Sequence, residues 1–263
     1  MHLSYSAIKD FSFCPNYYKL SRVDKLKPFT GNIYTAFGTA IHSTCEEMLL
    51  KNFKINSENY FSRQFAAEMF KLDKNILESY GESEQEKFLE QGYSILSEFP
   101  SFMEDTFGNY RVISTEEQIR TRVNLTEQTI HEYDFLGFVD CVIKTEDGRH
   151  HVIDWKTCSW GWNAERRSDR LTTYQLTLYK KYFCQKMGID PKDVETHFAL
   201  LKRTAKKNPV EFFRVTSGSK KTENALKLLN TALYNIKNQR YIKNRLSCTG
   251  GYGCKFYKTE HCP

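Results

Sequence analysis

Two aspartates and a lysine stand in a pattern suited to holding a divalent cation and cutting a phosphodiester. Asp140 ends the run Gly137-Phe138-Val139-Asp140, and Asp154 and Lys156 flank Trp155 in Ile153-Asp154-Trp155-Lys156. Between them lies Thr145-Glu146-Asp147-Gly148, whose Asp-Gly pair is a strong hairpin signal. A turn centred on Asp147 sets Asp140 opposite Asp154. Side chains alternate along a strand, so Asp154 and Lys156 share a face while Trp155 points the other way. Carboxylate oxygens are natural ligands of Mg²⁺ or Mn²⁺. Such an ion lowers the pKa of a bound water and stabilises charge on a phosphoryl oxygen, and a neighbouring ammonium can stabilise the transition state. A bare Asp-x-Lys is more often a solvated strand end. The weight therefore falls on the pairing across the hairpin.

Three more residues could join them. Gln175 and Tyr179 are four apart on an expected helix from about residue 171 to 187, so they point to one side together. Taken alone they are also a polar stripe on an amphipathic helix. His42 falls near the start of a helix marked by Phe37, Ile41, Cys45, Met48 and Leu49 at helical spacing, after Gly38. A lone histidine there is more often structural than a ligand.

The elements that must position these residues follow from the periodicity. Ser4 and Ser6 are candidate caps for a short helix carrying Ile8, Phe11 and Phe13, which Cys14-Pro15 ends. Residues 16–32 are loosely patterned. Helices are expected over 57–80 and 84–106. From Tyr110 the period shortens, with strands expected at 112–113, 119–123, 133–143 and 151–155. After the helix carrying Gln175 come strands at 194–201 and 210–215, then an amphipathic helix over 219–239 with Ala225, Leu228, Leu229, Ala232, Leu233 and Ile236 on one face. The order predicts an α/β (α+β) fold with a central mixed sheet, a mostly helical part at 36–109 and a core at 110–239.

The chain has 263 residues, enough for one sizeable domain with a real core. No stretch reaches the ~20 apolar residues of a membrane helix, and Met1-His2-Leu3-Ser4-Tyr5-Ser6 lacks the basic and apolar regions of an export signal. The expected compartment is a reducing cytoplasm. The formal net charge of +6 is unevenly spread. Lys+Arg against Asp+Glu is 17 to 24 over residues 1–160 and 21 to 8 over 161–263. A basic C-terminal portion suits a polyanion partner, although a solvated basic surface gives the same count.

The ordered set Gly38-x-x-x-His42, Gly137-x-x-Asp140, Asp154-Trp155-Lys156 and Gln175-x-x-x-Tyr179 resembles the RecB-type branch of the PD-(D/E)XK nuclease superfamily. The opening Leu3-Ser4-Tyr5-Ser6-Ala7-Ile8 with Phe11-Ser12-Phe13-Cys14-Pro15 is similar to its iron–sulfur members, the CRISPR-associated exonucleases and the nuclease domains of AddAB-type enzymes. The resemblance covers nearly the whole chain and keeps the family's motif order. It implies a restriction-endonuclease-like core spanning residues 1–263 as a single nuclease domain. It also implies metal ligation by His42, Asp140, Asp154 and the backbone carbonyl of Trp155. Lys156 would be the catalytic lysine, and Gln175 and Tyr179 would position the DNA strand.

The eight cysteines divide in two. Cys45, Cys141, Cys158 and Cys184 are scattered through expected elements, the first two in apolar patterns, and read as core thiols. Cys14 stands far in sequence from Cys248, Cys254 and Cys262, which cluster in a Gly-rich tail. Thiolates on loops at the two ends suit a metal or a cluster. The resemblance implies a 4Fe-4S cluster on these four, held by the ends 1–35 and 240–263. The gaps of five and seven residues in the tail are longer than the family's usual spacing, and His261 offers an alternative ligand for a zinc site.

For nucleic acid, exposed indoles stack on unpaired bases and basic side chains neutralise phosphates. Trp160, Trp162, Arg166, Arg167, Arg170, Lys202 and Arg203 are the candidates, joined by Lys206 and Lys207. The bland alternatives are tryptophans that close the core and a solvated turn. Nothing resembles a base-reading helix. The resulting expectation is a Mg²⁺- or Mn²⁺-dependent DNA exonuclease on single-stranded DNA or duplex ends, without sequence specificity. Recombination or CRISPR-adaptation proteins are its possible partners. The competing class is a non-catalytic DNA-binding or adaptor module with the same fold and a metal-stapled C-terminus.

Overall fold

The computed structural model describes residues 2–26, 31–123, 133–250 and 253–263. Residues 27–30 of the loosely patterned stretch and 251–252 between Cys248 and Cys254 lie outside that description. The chain forms two compact units. One combines residues 1–30, 118–137 and 217–263; the other combines 31–117 and 138–216.

The second unit carries a mixed sheet flanked by helices. Its strands are the C-terminal part of β3 (Asp134–Thr145), β4 (His150–Cys158), β5 (Val194–Lys202) and β6 (Val210–Arg214). β3 runs antiparallel to β4, β4 parallel to β5, and β5 antiparallel to β6. β2 (Tyr110–Arg122) also pairs with β3 and is one continuous strand where two were expected. The β3–β4 turn closes with Thr145 N donating to Arg149 O at 3.0 Å and Gly148 N to Thr145 O at 3.0 Å. Gly148 sits at φ +85°, the left-handed position a three-residue hairpin loop requires.

One face of this sheet is the core. Cys141, Ile143, Ile153, Trp155, Ala199 and Leu201 pack with α3 (Ile33–Leu50), α4 (Ser57–Phe70) and α6 (Glu82–Phe107). α3 opens with a capping box in which Asn32 and Thr35 satisfy each other's backbone amides. The expected 57–80 helix breaks at Leu72-Asp73, where Asp73 caps the short α5 (Lys74–Glu78). After the short α7 (Ala164–Ser168), α8 (Arg170–Met187) lies on the other face, capped by Asp169 and stopped by Gly188 at φ +66°.

In the first unit, β1 (His2–Ser4) pairs in parallel with Asp134–Leu136 of β3, a strand too short to show in the periodicity. α1 (Tyr5–Phe13) follows with Ser4 as its N-cap, then α2 (Pro15–Tyr18). α9 (Ser219–Lys237) packs on α1, and α10 (Leu246–Thr249) is one turn within the tail.

A Cβ on Gly92 of α6 would stand 2.1 Å from Cε1 of Phe61 on α4. Phe61 is fully buried and meets Phe37, Phe65 and Tyr93. Glycine inside a helix ordinarily costs stability relative to alanine. Here the sign reverses, because the ring cannot retreat into a filled core. Gly92→Ala is expected to destabilise the protein by about 1–3 kcal/mol, seen as a lower urea midpoint at unchanged m-value; a raised midpoint would refute this packing.

Candidate metal-dependent active site

The site is built at one end of the β3–β4 hairpin. Cys141 pairs with Ile153 and Val142 with Val152, and one step further along that register Asp140 faces Asp154. The Trp155 amide donates to Asp140 Oδ2 at 2.7 Å. Asp154 is 2 % exposed and Trp155 fully buried on the core face, where its ring meets Phe99 edge-on. Lys156 Nζ lies 2.5 Å from Asp154 Oδ2 and 5.8 Å from the centre of the Phe198 ring.

Helices supply the rest. α8 brings Gln175 to the sheet, where its Nε2 donates to Asp154 Oδ1 at 2.8 Å and to the Tyr179 hydroxyl at 3.2 Å. The two side chains do lie together, one turn apart. From the opposite layer α3 presents His42, whose Nδ1 is 3.8 Å from Asp140 Oδ2. Gly38, one turn earlier, allows this approach: a Cβ there would stand 3.3 Å from Thr157 Oγ1 of β4.

Burial sets the electrostatics. Asp140 and Asp154 are each pushed up to about 6, chiefly by loss of water and against the pull of Lys156. Burial also works against the Lys156 charge, but Asp154 and Asp140 outweigh it and hold the ammonium above its ordinary range. His42 drops to about 4 through burial and the nearby Lys156, so it is neutral and keeps a lone pair. Burial raises Tyr179 above the usual phenol value, and the charge of Asp154 adds to this.

A residue outside the sequence motifs joins the group. Glu46, one turn after His42 on α3, is raised to about 8 by burial, then by Glu116 and Asp140. Glu116 holds φ +48° in β2, a backbone region rare for residues other than glycine. The i,i+4 spacing of His42 and Glu46 was the available signal. A glutamate followed by Glu47 on a helix reads equally as a solvated face.

The donor set of one imidazole and two carboxylates fits a divalent cation. His42 Nε2 is buried without a hydrogen-bond partner among the described residues, as a ligand atom facing an ion would be. His42, Asp140 and Asp154 do not all close within 4.8 Å of one another; the Lys156 ammonium and the Trp155 amide hold the carboxylates instead.

The expected DNA contacts divide. Trp160 is 78 % exposed, in a loop pinned from behind by Arg203 N to Cys158 O (2.9 Å) and Thr204 N to Ser159 O (3.1 Å). Trp162 is a correction: it is buried, its ring packed on Phe198 and Phe213 and covered by the Arg166 guanidinium at 4.4 Å. Gly161, at φ +115°, turns the chain between them. Arg167 and Lys202 both pair with Glu211. Arg203 lies over Tyr34 and Phe88 and donates to Gln91 and Ser159. These three basic groups hold the loop together, whereas Arg166 and Arg170 are exposed.

In the other unit, the Cys254 thiol is raised by burial and by the neighbouring Cys14 and Cys262 sulfurs. Asn244 N donates to Cys14 Sγ at 3.3 Å and Asn16 Nδ2 to Cys262 Sγ at 3.7 Å. Among the described residues no three of Cys14, Cys248, Cys254 and Cys262 bring their sulfurs within 4.8 Å of one another. His261 faces Glu260 at 3.5 Å, with Phe256 beside its ring. Cys45, Cys141 and Cys184 are buried and Cys158 half-buried.

A family model described as the PD-(D/E)XK nuclease superfamily matches residues 2–262. A crystal structure of a provisionally designated exonuclease from Eubacterium rectale superposes with a TM-score of 0.59 at 10 % identity, covering 94 % of this chain and 86 % of that one. That likeness is one of fold. The crystal structure of SSO0001 superposes at a TM-score of 0.37 with 16 % identity, over 65 % of this chain and 73 % of that one, too loosely to carry an argument. No curated protein matches by sequence.

Asp140 and Asp154 bind protons at about 6 when folded, against the ordinary 3.8. What the pair contributes to stability is therefore full below the ordinary value and lost as pH rises through about 6. A divalent cation relieves the same charge and competes with those protons. The rise in melting temperature on adding Mn²⁺ should be larger at about pH 7.5 than at about pH 5, and Asp154→Asn should abolish the difference. Equal shifts at both pH values would count against this site.

Proposed function

Since this chain belongs to the PD-(D/E)XK nuclease superfamily, we propose that it is a Mg²⁺- or Mn²⁺-dependent deoxyribonuclease that works as an exonuclease on single-stranded DNA or duplex ends. The observation that carries this reading is the convergence of His42, Asp140, Asp154, Lys156, Gln175 and Tyr179 on one half-buried niche. When bound, the ion supplies an acidified water and neutralises charge on the phosphate.

The chain's own residues do the rest. His42, Asp140, Asp154 and the Trp155 carbonyl would hold the ion. Lys156, kept protonated by the two carboxylates, orients the attacking water and offsets charge on the phosphoryl oxygens. Gln175 fixes the rotamer of Asp154 through Oδ1, and Tyr179 fixes Gln175. Trp160 offers a stacking face to an unpaired base, with Arg166 and Arg170 for phosphates. An open indole with no base-reading element favours unpaired DNA and a lack of sequence preference.

Lys156→Ala, folded and with its metal content intact, should lose roughly 100-fold or more of its rate on strands labelled separately at the 5′ and 3′ ends. Wild-type activity in that variant would exclude the assignment. Mononucleotide release from labelled ends marks the exonuclease; internal fragments alone would point to an endonuclease.

For the cysteines we favour a 4Fe-4S cluster over zinc. Four thiolates around zinc, with bonds of about 2.3 Å, need sulfurs about 3.8 Å apart, whereas the cubane spreads them further. Backbone and side-chain amides donating to the sulfurs are the usual surroundings of a cluster. Protein purified without oxygen should be brown, and Cys14→Ala should be colourless and less stable. A colourless wild type with stoichiometric zinc would overturn this.

A further inference from the structure

On the core face of the same sheet, we infer that His151, Glu195 and His197 form a second metal site, for zinc, separate from the nuclease centre. His151 of β4 is the register partner of Glu195 on β5, and His197 stands two residues beyond Glu195 on the same side. His151 Nδ1 and His197 Nε2 are 3.1 Å apart, and Glu195 Oε2 lies 3.9 and 3.7 Å from them. A point equidistant from the three atoms is about 2.1 Å from each, which is the zinc–nitrogen and zinc–oxygen bond length. Among the described residues this is the one group of three or more His, Cys, Asp or Glu ligand atoms so closely gathered.

The protons point the same way. Thr145 Oγ1 is 2.5 Å from Asp147 Oδ1, a carboxylate that can only accept, so its single hydrogen is committed there. Towards His151 Nε2, 3.1 Å away, it can therefore only accept. His151 is thus the Nε2–H tautomer, with its bare Nδ1 lone pair aimed at the cluster. Glu195 Oε2 also offers only lone pairs, and it stands beyond hydrogen-bond reach of either ring. A proton on His197 Nε2 reaches only His151 Nδ1, at 3.1 Å, so neither ring donates to Oε2. Arg149 and Arg214 hold the other oxygen, Oε1, at 2.7 and 3.0 Å; they fix the carboxylate from outside, as outer partners of a metal ligand do.

All three residues are buried, and the rings of Phe107 and Phe212 cover the histidines. Burial lowers both imidazoles, for His151 against the pull of Glu195, and His197 falls to about 3 with His151 and Arg214 adding to the effect. Imidazole with carboxylate in a closed site suits zinc better than Mg²⁺ or Mn²⁺. His151 precedes Asp154 by three residues, about 10 Å along the strand. The ion would pin β4 to β5 just behind the catalytic carboxylate.

The test uses cluster-loaded full-length protein carrying Asp154→Asn, which removes the nuclease metal. Titrated with Co²⁺, it should bind one equivalent that shows imidazole and oxygen ligand-field bands without thiolate charge transfer, and zinc should displace it. His197→Phe in the same background should lose that equivalent and the zinc-induced rise in melting temperature. Zinc X-ray absorption on the parent requires no further variant: a shell of two imidazoles with oxygen supports the site. A sulfur-only shell, absence of bound zinc, or equal cobalt uptake in both proteins would overturn it and leave the histidines a hydrogen-bonded pair.

Discussion

Two carboxylates taken out of water side by side are the constraint on which the nuclease unit depends. Asp140 and Asp154 face each other because the hairpin turn at Asp147 fixes their register. Each is costly to ionise where it stands. The chain meets that cost with an ammonium on the same strand, two residues away, and with amide donors from Trp155 and Gln175. The arrangement is stable enough to fold yet leaves a charge imbalance that a divalent cation would complete. Preorganised sites work this way: the destabilisation is local and the surrounding core sustains it.

That core is the reverse side of the same strand. Along β4 the residues alternate between chemistry and packing: Asp154 and Lys156 on one face, Ile153 and Trp155 on the other. Trp155 is fully buried against Phe99 of α6, so the backbone that joins Asp154 and Lys156 has little freedom to move. Rigid placement of this kind converts proximity into rate. The helices contribute by contact: α3 packs so near that a Cβ on Gly38 would crowd Thr157, and α8 is locked by caps at both ends.

The parts of this site that were legible in the sequence are those set by local rules. The Asp-Gly turn, the alternation of strand side chains and the one-turn spacing of Gln175 and Tyr179 all placed residues correctly relative to near neighbours. What depended on distant packing was not legible. The burial of Trp162 needs Phe198 and Phe213 from β5 and β6, and the engagement of Arg167 and Lys202 needs Glu211. Glu46 looked like any charged helix residue until the fold brought Asp140 and Glu116 near it. The His151–His197 contact joins positions 46 residues apart in sequence through the pairing of β4 with β5, and no periodicity reports such a meeting. The break at Leu72-Asp73 was missed because the apolar spacing of Leu72 and Ile76 continues the helical phase across a capping aspartate.

Asp154 has the most demands on it. Its Oδ1 accepts from Gln175 and its Oδ2 forms an ion pair with Lys156, and a carboxylate offers about four lone-pair directions in all. A cation must therefore share this group with both partners. Gln175 can share easily, since it holds Oδ1 at one angle and steadies the side chain. Lys156 cannot stay where it is, because an ammonium 2.5 Å from Oδ2 competes directly with a metal for the same oxygen. Its charge is also less needed once the carboxylates are otherwise balanced. The ammonium also lies 5.8 Å from the centre of the Phe198 ring. On the proposed function the same lysine would be the counter-ion that lets the site fold and, once displaced by an ion, a cation beside the reacting group. An arginine could not take both parts, since its planar fork binds a carboxylate in a fixed geometry and stays fully charged.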